Sequence, residues 1–256
     1  MPPDPPLLEA HGVTKAFGAF KAVSDATVSV AEGEILGLIG PNGAGKSTFF
    51  PCLTGDLAPT AGTIRFRGAA VTHQTPEQRA ALGIARTFQV PLTFEGMSVL
   101  ENVMIGAFLR TPDPAEARDR ARMVIDRVGL GPLAAASARS LGTPGRKRLE
   151  IARALATEPA ILLLDEAMAG LTPSEVHRAI ELVRSIHGAG ITLVIVEHIM
   201  EVIFTLADRV VCFHQGRPIA NGTPAEVTRE PQVIEAYLGK RAARAAHGRG
   251  AQGGPA

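Results

Sequence analysis

Residues 40–48 read Gly-Pro-Asn-Gly-Ala-Gly-Lys-Ser-Thr and follow an apolar run, Ile35-Leu36-Gly37-Leu38-Ile39. A strand that opens into a glycine-rich turn closed by Lys-Ser is the pattern of a phosphate-binding loop. Glycines at 40, 43 and 45 permit backbone angles and close approaches that a Cβ forbids, so successive N–H groups can converge on phosphate oxygens. Gly40, Pro41, Asn42, Gly43, Ala44, Gly45, Lys46, Ser47 and Thr48 are therefore the expected nucleotide-binding residues. Lys46 supplies a point charge between β- and γ-phosphates and Ser47 a hydroxyl for Mg²⁺, while the following helix aims its positive end at the anion.

The rest of the composition narrows the setting rather than the chemistry. A chain of 256 residues is long enough for a packed core in one large domain or two. Its 26 Lys and Arg nearly balance 25 Asp and Glu, so no basic field argues for a nucleic-acid partner. Cys52 and Cys212 lie far apart without metal-ligand spacing, as ordinary buried thiols of a reducing compartment do. The start, Met1-Pro2-Pro3-Asp4-Pro5-Pro6, lacks the basic and apolar regions of a secretory signal. No apolar run approaches the roughly 20 residues that span a bilayer; Ile161-Leu162-Leu163-Leu164 is cut short by Asp165-Glu166. The expectation is a cytoplasmic protein whose membrane connection, if any, runs through a partner. Residues 240–256, with Lys240-Arg241-Ala242-Ala243-Arg244 and then Gly, His, Gln and Pro, are expected to form a disordered tail.

Strand and helix signals alternate, which indicates a mainly parallel α/β sheet covered by helices. Strands are expected at Leu7–Val13, Thr27–Val30, Ile35–Ile39, Thr63–Phe66, Ile84–Thr87, Ile161–Leu164, Thr192–Val196 and Val210–Phe213. Helix starts are marked by Ser98 with Glu101, Thr172 with Pro173 and Glu175, and Thr223 with Pro224 and Glu226. From about residue 90 to 158 the pattern is helical and strand-free, with Pro112 and Pro114 as a break. This predicts a helical subdomain at 90–158 inserted between two parts, 7–89 and 159–239, of a nucleotide-binding core.

A phosphate loop needs a metal carboxylate, and Ile161-Leu162-Leu163-Leu164-Asp165-Glu166 offers one. An acid at the carboxyl end of a buried strand emerges beside the phosphates, which assigns Asp165 to Mg²⁺ and Glu166 to the attacking water. Adjacent acids after a strand also occur as capped turns, and it is the pairing with the phosphate loop that favours the metal reading.

Three further segments, Ala85-Arg86-Thr87-Phe88-Gln89, Ala169-Gly170-Leu171-Thr172-Pro173 and Val194-Ile195-Val196-Glu197-His198, complete a set that resembles the ATP-binding cassette (ABC) ATPases. The resemblance implies a P-loop NTPase core of RecA-like type, with an antiparallel β region beside the parallel sheet and an inserted helical subdomain. It assigns Gln89 to Mg²⁺ and the lytic water, His198 to the γ-phosphate, and Phe17 in Lys15-Ala16-Phe17-Gly18 to the adenine. Gly83 to Gln89, Met97 to Val103 and Asn221 to Gly239 look like the branched-chain amino-acid importer type, to which urea and amide importers are similar. Family membership of that type implies ATP and Mg²⁺ as cofactors, and a second ABC ATPase subunit as partner. It further implies two transmembrane permeases, an extracytoplasmic solute-binding protein met only indirectly, and a place on the cytoplasmic face of the inner membrane. Two other classes stay open: a cytosolic cassette ATPase outside transport, and an ATP-binding subunit that hydrolyses weakly.

Departures from the family pattern sharpen the expectation. Where the signature Leu-Ser-Gly-Gly-Gln belongs, the chain reads Leu141-Gly142-Thr143-Pro144-Gly145, so Gly142 offers no hydroxyl and Pro144 no N–H. The signature meets the partner subunit's ATP in this family, which predicts one impaired site in a dimer with a different ATPase chain. Ala167 and Thr172 stand where relatives often carry proline and aspartate or asparagine. Pro51, two turns into the phosphate-loop helix, predicts a kink or an early helix end. Leu92, Phe94 and Met97 are the expected docking surface for a short permease helix.

Overall fold

The computed structural model describes residues 5–237. Among them run strands β1 (Leu8–Phe17), β2 (Phe20–Val30), β3 (Ile35–Ile39), β4 (Ala61–Phe66), β5 (Ala69–Ala70), β6 (Ile84–Arg86), β7 (Ile161–Asp165), β8 (Thr192–Val196), β9 (Arg209–His214) and β10 (Arg217–Gly222). Helices α1 (Lys46–Thr54), α2 (Pro76–Leu82), α3 (Val99–Ala107), α4 (Pro114–Arg127), α5 (Thr143–Leu155), α6 (Pro173–His187), α7 (Met200–Leu206) and α8 (Pro224–Val227) interleave with them.

The central sheet has the order β10-β9-β3-β8-β7-β6. Its inner pairs are parallel and only β10 runs antiparallel, against β9. Both faces are covered, so the strands read as continuous apolar runs, and alternate side chains enter different cores. Leu162, Leu164, Leu193 and Ile195 join the cluster under α3, α5 and α6. Leu163, Val194, Val196, Leu36 and Leu38 join the cluster that holds Phe49 and Phe50 of α1. The ring of Phe49 lies 5.0 Å from that of Phe213. The second sheet, β2-β1-β4-β5, is wholly antiparallel.

Strands β1 and β2 extend well past their expected ends. Register shifts between Ala10 and Val13 and again up to Ala16 break the period of two on which a strand reading depends. The β5 and β10 strands were absent from the sequence expectation, because neither carries an apolar run: β5 is two alanines, and β10 reads Arg217-Pro218-Ile219-Ala220-Asn221-Gly222. The three expected helix starts all form. Ser98, Thr172 and Thr223 each donate their N–H at 2.8 Å to the glutamate three residues on. Pro51 lies inside α1, and the helix runs through it to Thr54, where Gly55 at φ 87° ends it. Between Gln89 and Ile161 the described residues contain helices and no strand. The expected tail, 240–256, lies outside the described residues.

Candidate nucleotide site

The loop after β3 is shaped by contacts that only glycine allows. A Cβ on Gly40 would stand 2.3 Å from the Phe213 carbonyl oxygen, and one on Gly45 2.6 Å from that of Ala22. Gly45 also has φ 103° and caps α1 with no side-chain acceptor. Ala44 N–H turns back to the Pro41 carbonyl, and the N–H groups of Thr48 and Phe49 go to the Gly45 carbonyl. Among the described residues, those of Gly43, Gly45, Lys46 and Ser47 have no backbone acceptor. A row of free donors at a helix N-terminus is an anion cradle.

Lys46 is buried and donates its ammonium to the Gly40 carbonyl at 2.6 Å and the Pro41 carbonyl at 3.3 Å. Burial pulls its pKa below the ordinary lysine value, while Glu166, Cys212 and Asp165 pull the other way. The cavity in front of the loop, about 450 Å³, is lined by residues 42–48, Gln89, Glu166, His198, Phe20 and Ala22. Strand ends of β6, β7 and β8 thus deliver Gln89, Glu166 and His198 to one place, at the carboxyl edge where open parallel sheets bind ligands.

Glu166 is the hub. Its Oε2 accepts from Gln89 Nε2 at 2.8 Å, and its Oε1 meets His198 Nε2 at 2.6 Å. The backbone of Glu166 is left-handed, φ 47°, a conformation that costs a non-glycine residue about 1–3 kcal/mol. Its N–H donates to the Val196 carbonyl, and its own carbonyl accepts the Lys147 ammonium at 2.9 Å. Asp165, one residue earlier, is oriented by Thr87, whose hydroxyl accepts the Asp165 N–H at 3.1 Å. Burial raises the Asp165 carboxyl pKa, opposed chiefly by Arg86, whose guanidinium lies 3.6 Å away.

Phe17 does not line this cavity. It sits at the tip of the β1–β2 hairpin, paired with Phe20 and half exposed, with the Lys15 ammonium 5.2 Å from its ring centre. Phe20 is the aromatic at the cavity wall. Sequence reasoning also passed over Lys147, Glu197 and Arg86. Glu197 is buried, accepts the Met168 N–H at 2.8 Å, and is pushed up by burial. The signal for it was an acid inside an otherwise apolar strand end beside His198.

A second, larger groove of about 720 Å³ runs from α2 to α5 and is lined by Leu92, Phe94, Ile105, Leu109, Arg86, Glu150 and Arg153 among others. Met97 is not in its lining. Its backbone instead ties the loop before α3 to residue 138, accepting the Ala138 N–H.

A glycine cradle after β3, a buried lysine and an acid pair at the end of β7, two strands away in the sheet, define a P-loop nucleotide hydrolase. The chain belongs to the ABC transporter family, whose model matches residues 23–169, more than half of its length. A second model, branched-chain amino acid ATP-binding cassette transporter, matches residues 217–243. The high-affinity branched-chain amino acid transport ATP-binding protein LivG of Salmonella typhimurium is 41% identical over 92% of this chain and 98% of its own. BraF of Pseudomonas aeruginosa, of the same description, is 37% identical with the same coverage. A solved nucleotide-free cassette from an ABC transporter superposes with TM-score 0.84 at 30% identity, covering 92% of this chain and all of its own. The ADP conformation of a cassette of an ABC transporter gives 0.83 at 31%, with the same coverage. The protein is therefore an ABC ATPase.

Proposed function

We propose that this ATPase energises uptake of branched-chain amino acids, or of related small amides, across the cytoplasmic membrane. The observation that carries the reading is the Gln89–Glu166–His198 bridge facing the phosphate loop, together with relatives named for branched-chain amino acid transport. Glu166 orients or deprotonates the water that attacks the γ-phosphoryl group in line. Both its oxygens are engaged in this structure, so ATP entry must part His198 from Glu166 and place it on the γ-phosphate. Lys46 leaves the Gly40 carbonyl for the β/γ oxygens, and the free N–H groups of the loop receive the β-phosphate. Phe17 sits at the hairpin tip beside Phe20, outside the cavity lining, and has to turn toward the nucleotide to cover the adenine face.

Ser47, Asp165 and Gln89 would hold Mg²⁺. Their donors are all oxygens, as a hard cation needs. No cluster of three His, Cys, Asp or Glu exists among the described residues, which fits an ion carried in by phosphates and keeping several waters. Bound there, it would offset charge on the leaving and transferred phosphoryl oxygens.

The partners follow from the same reading: a second ABC ATPase, two permeases and, indirectly, an extracytoplasmic binding protein, with this chain on the inner face of the membrane. No described helix is long and apolar enough to cross a bilayer; the groove between α2 and α5, with Leu92 and Phe94 in its lining, is the surface this reading assigns to the permease. On this reading the helices of 90–158 form the subdomain that carries the signature, and 7–89 with the described part of 159–239, up to residue 237, form the core. At the signature, α5 begins at Thr143 with Gly142 as cap and no side-chain hydrogen bond. That supports an impaired site against the partner's ATP, and hence a dimer of unlike chains. A Glu166→Gln variant purified from native membranes with Mg-ATP should bring down a distinct ABC ATPase and two permeases. Recovery of this chain alone, or of ribosomal or DNA-binding proteins, overturns the reading.

A further inference from the structure

One cation joins the acid at the end of β7 to the groove. Arg86 closes β6, and its guanidinium lies 3.0 Å from Asp56 Oδ2 and 3.6 Å from Asp165 Oδ2. It is stacked between two rings, 4.2 Å from the Phe88 centre and 5.4 Å from the Phe50 centre. Its Nε donates to the Thr87 carbonyl at 3.1 Å. The side chains of Arg86 and Asp165 are each 13% exposed, against 29% for Asp56. Arg86 and Asp56 both line the groove, whereas Asp165, at the end of the neighbouring strand β7, does not.

We propose that Arg86 is the resident counter-ion of Asp165, which a divalent cation must displace, and that its displacement is felt at the aromatic floor of the groove. The proposal rests on the reading of Asp165 as a metal carboxylate. A buried carboxylate needs a compensating charge, and in this structure Arg86 is the largest influence that opposes the burial of Asp165. Once a dication occupies Asp165, the guanidinium faces a like charge across a poorly screened gap. Asp56, already the nearer acid, receives it. The slide draws the guanidinium along the face of Phe88, the neighbour of Gln89. Arg86 is thus a positioning residue, and metal occupancy and the groove are linked reciprocally through it.

The chain has no tryptophan, so Phe88→Trp, at a position 36% exposed, gives a single tryptophan emission probe beside Arg86. ATP affinity is measured by calorimetry on the full chain with Mg²⁺ and with EDTA, alongside the emission. In the Phe88→Trp parent, the Mg²⁺-dependent step shifts the emission. Adding Arg86→Met removes that shift and raises the ratio of Mg²⁺ to EDTA affinities several-fold, because the competitor is gone. Asp56→Asn, a surface change that spares the fold, lowers the ratio by holding Arg86 on Asp165. A ratio within twofold of the parent in both variants, or an emission shift that survives Arg86→Met, overturns the proposal while ATP binding stands. Loss of ATP binding in the Phe88→Trp parent under both conditions overturns the nucleotide-site reading itself.

Discussion

Gly43 and Gly45 lie two residues apart in the same loop, both left-handed at φ 77° and 103°, yet their surroundings differ. A Cβ on Gly43 meets nothing within 4 Å, whereas one on Gly45 meets the Ala22 carbonyl oxygen at 2.6 Å and Gly216 Cα at 3.1 Å. Substitution by alanine imposes the left-handed cost at both, about 1–2 kcal/mol, partly offset by about 0.4–1 kcal/mol from the stiffer unfolded chain. Those contributions cancel in the comparison. What remains is the backbone clash, because neither Ala22 nor Gly216 can rotate away, and overpacking of this kind costs about 1–3 kcal/mol. Urea unfolding without nucleotide should therefore place Gly45→Ala below Gly43→Ala by that margin, or by about 2–12 °C in thermal midpoint for a chain of this size. Equal losses for the two variants would refute the argument that the loop is held open by close backbone approach.

Three further outcomes are expected. Glu150 is buried, accepts the Phe88 N–H at 2.9 Å, and is pushed up to about 7 from 4.5; the folded state then binds more protons between those values, so stability falls as pH rises through that window. Glu150→Gln should flatten this slope in urea unfolding between pH 4.5 and 7. His198→Ala removes a hydrogen bond to a charged group worth about 1.5–3 kcal/mol, and should lower kcat about 10- to 150-fold with a much smaller change in Mg-ATP affinity. In the assembled complex, Gly142→Ser with Pro144→Gly restores a hydroxyl and an N–H at the α5 terminus, and should raise turnover about tenfold or more; unchanged turnover sinks the unequal-site idea.

What was legible in the sequence follows local rules. The phosphate loop, the acid after Leu164 and the three helix starts each depend on residues within a few positions of one another, and all formed. The continuous apolar β7 and β8 announced a sheet buried on both faces. Elements and contacts set by distant partners were not legible. Strand β10 holds because β9 pairs with it, and bulges hid the reach of β1. Phe17 and Phe20 flank one hairpin tip, and only the turn decides which ring faces the cavity. Met97 has the hydrophobicity of a groove residue but spends its place bracing residue 138. Arg86 looked like an ordinary strand end, since its two acids lie 30 and 79 positions away.

The central claim is that hydrolysis at Glu166 drives solute import. The most direct test is leucine uptake by proteoliposomes carrying the purified assembly, with Mg-ATP on the side of this subunit. ATP-dependent accumulation in the parent, reduced to background by Glu166→Gln while Mg-ATP still binds, is the expected result. Accumulation that persists with Glu166→Gln, or hydrolysis in the parent without uptake of leucine or any related amide, would contradict the account.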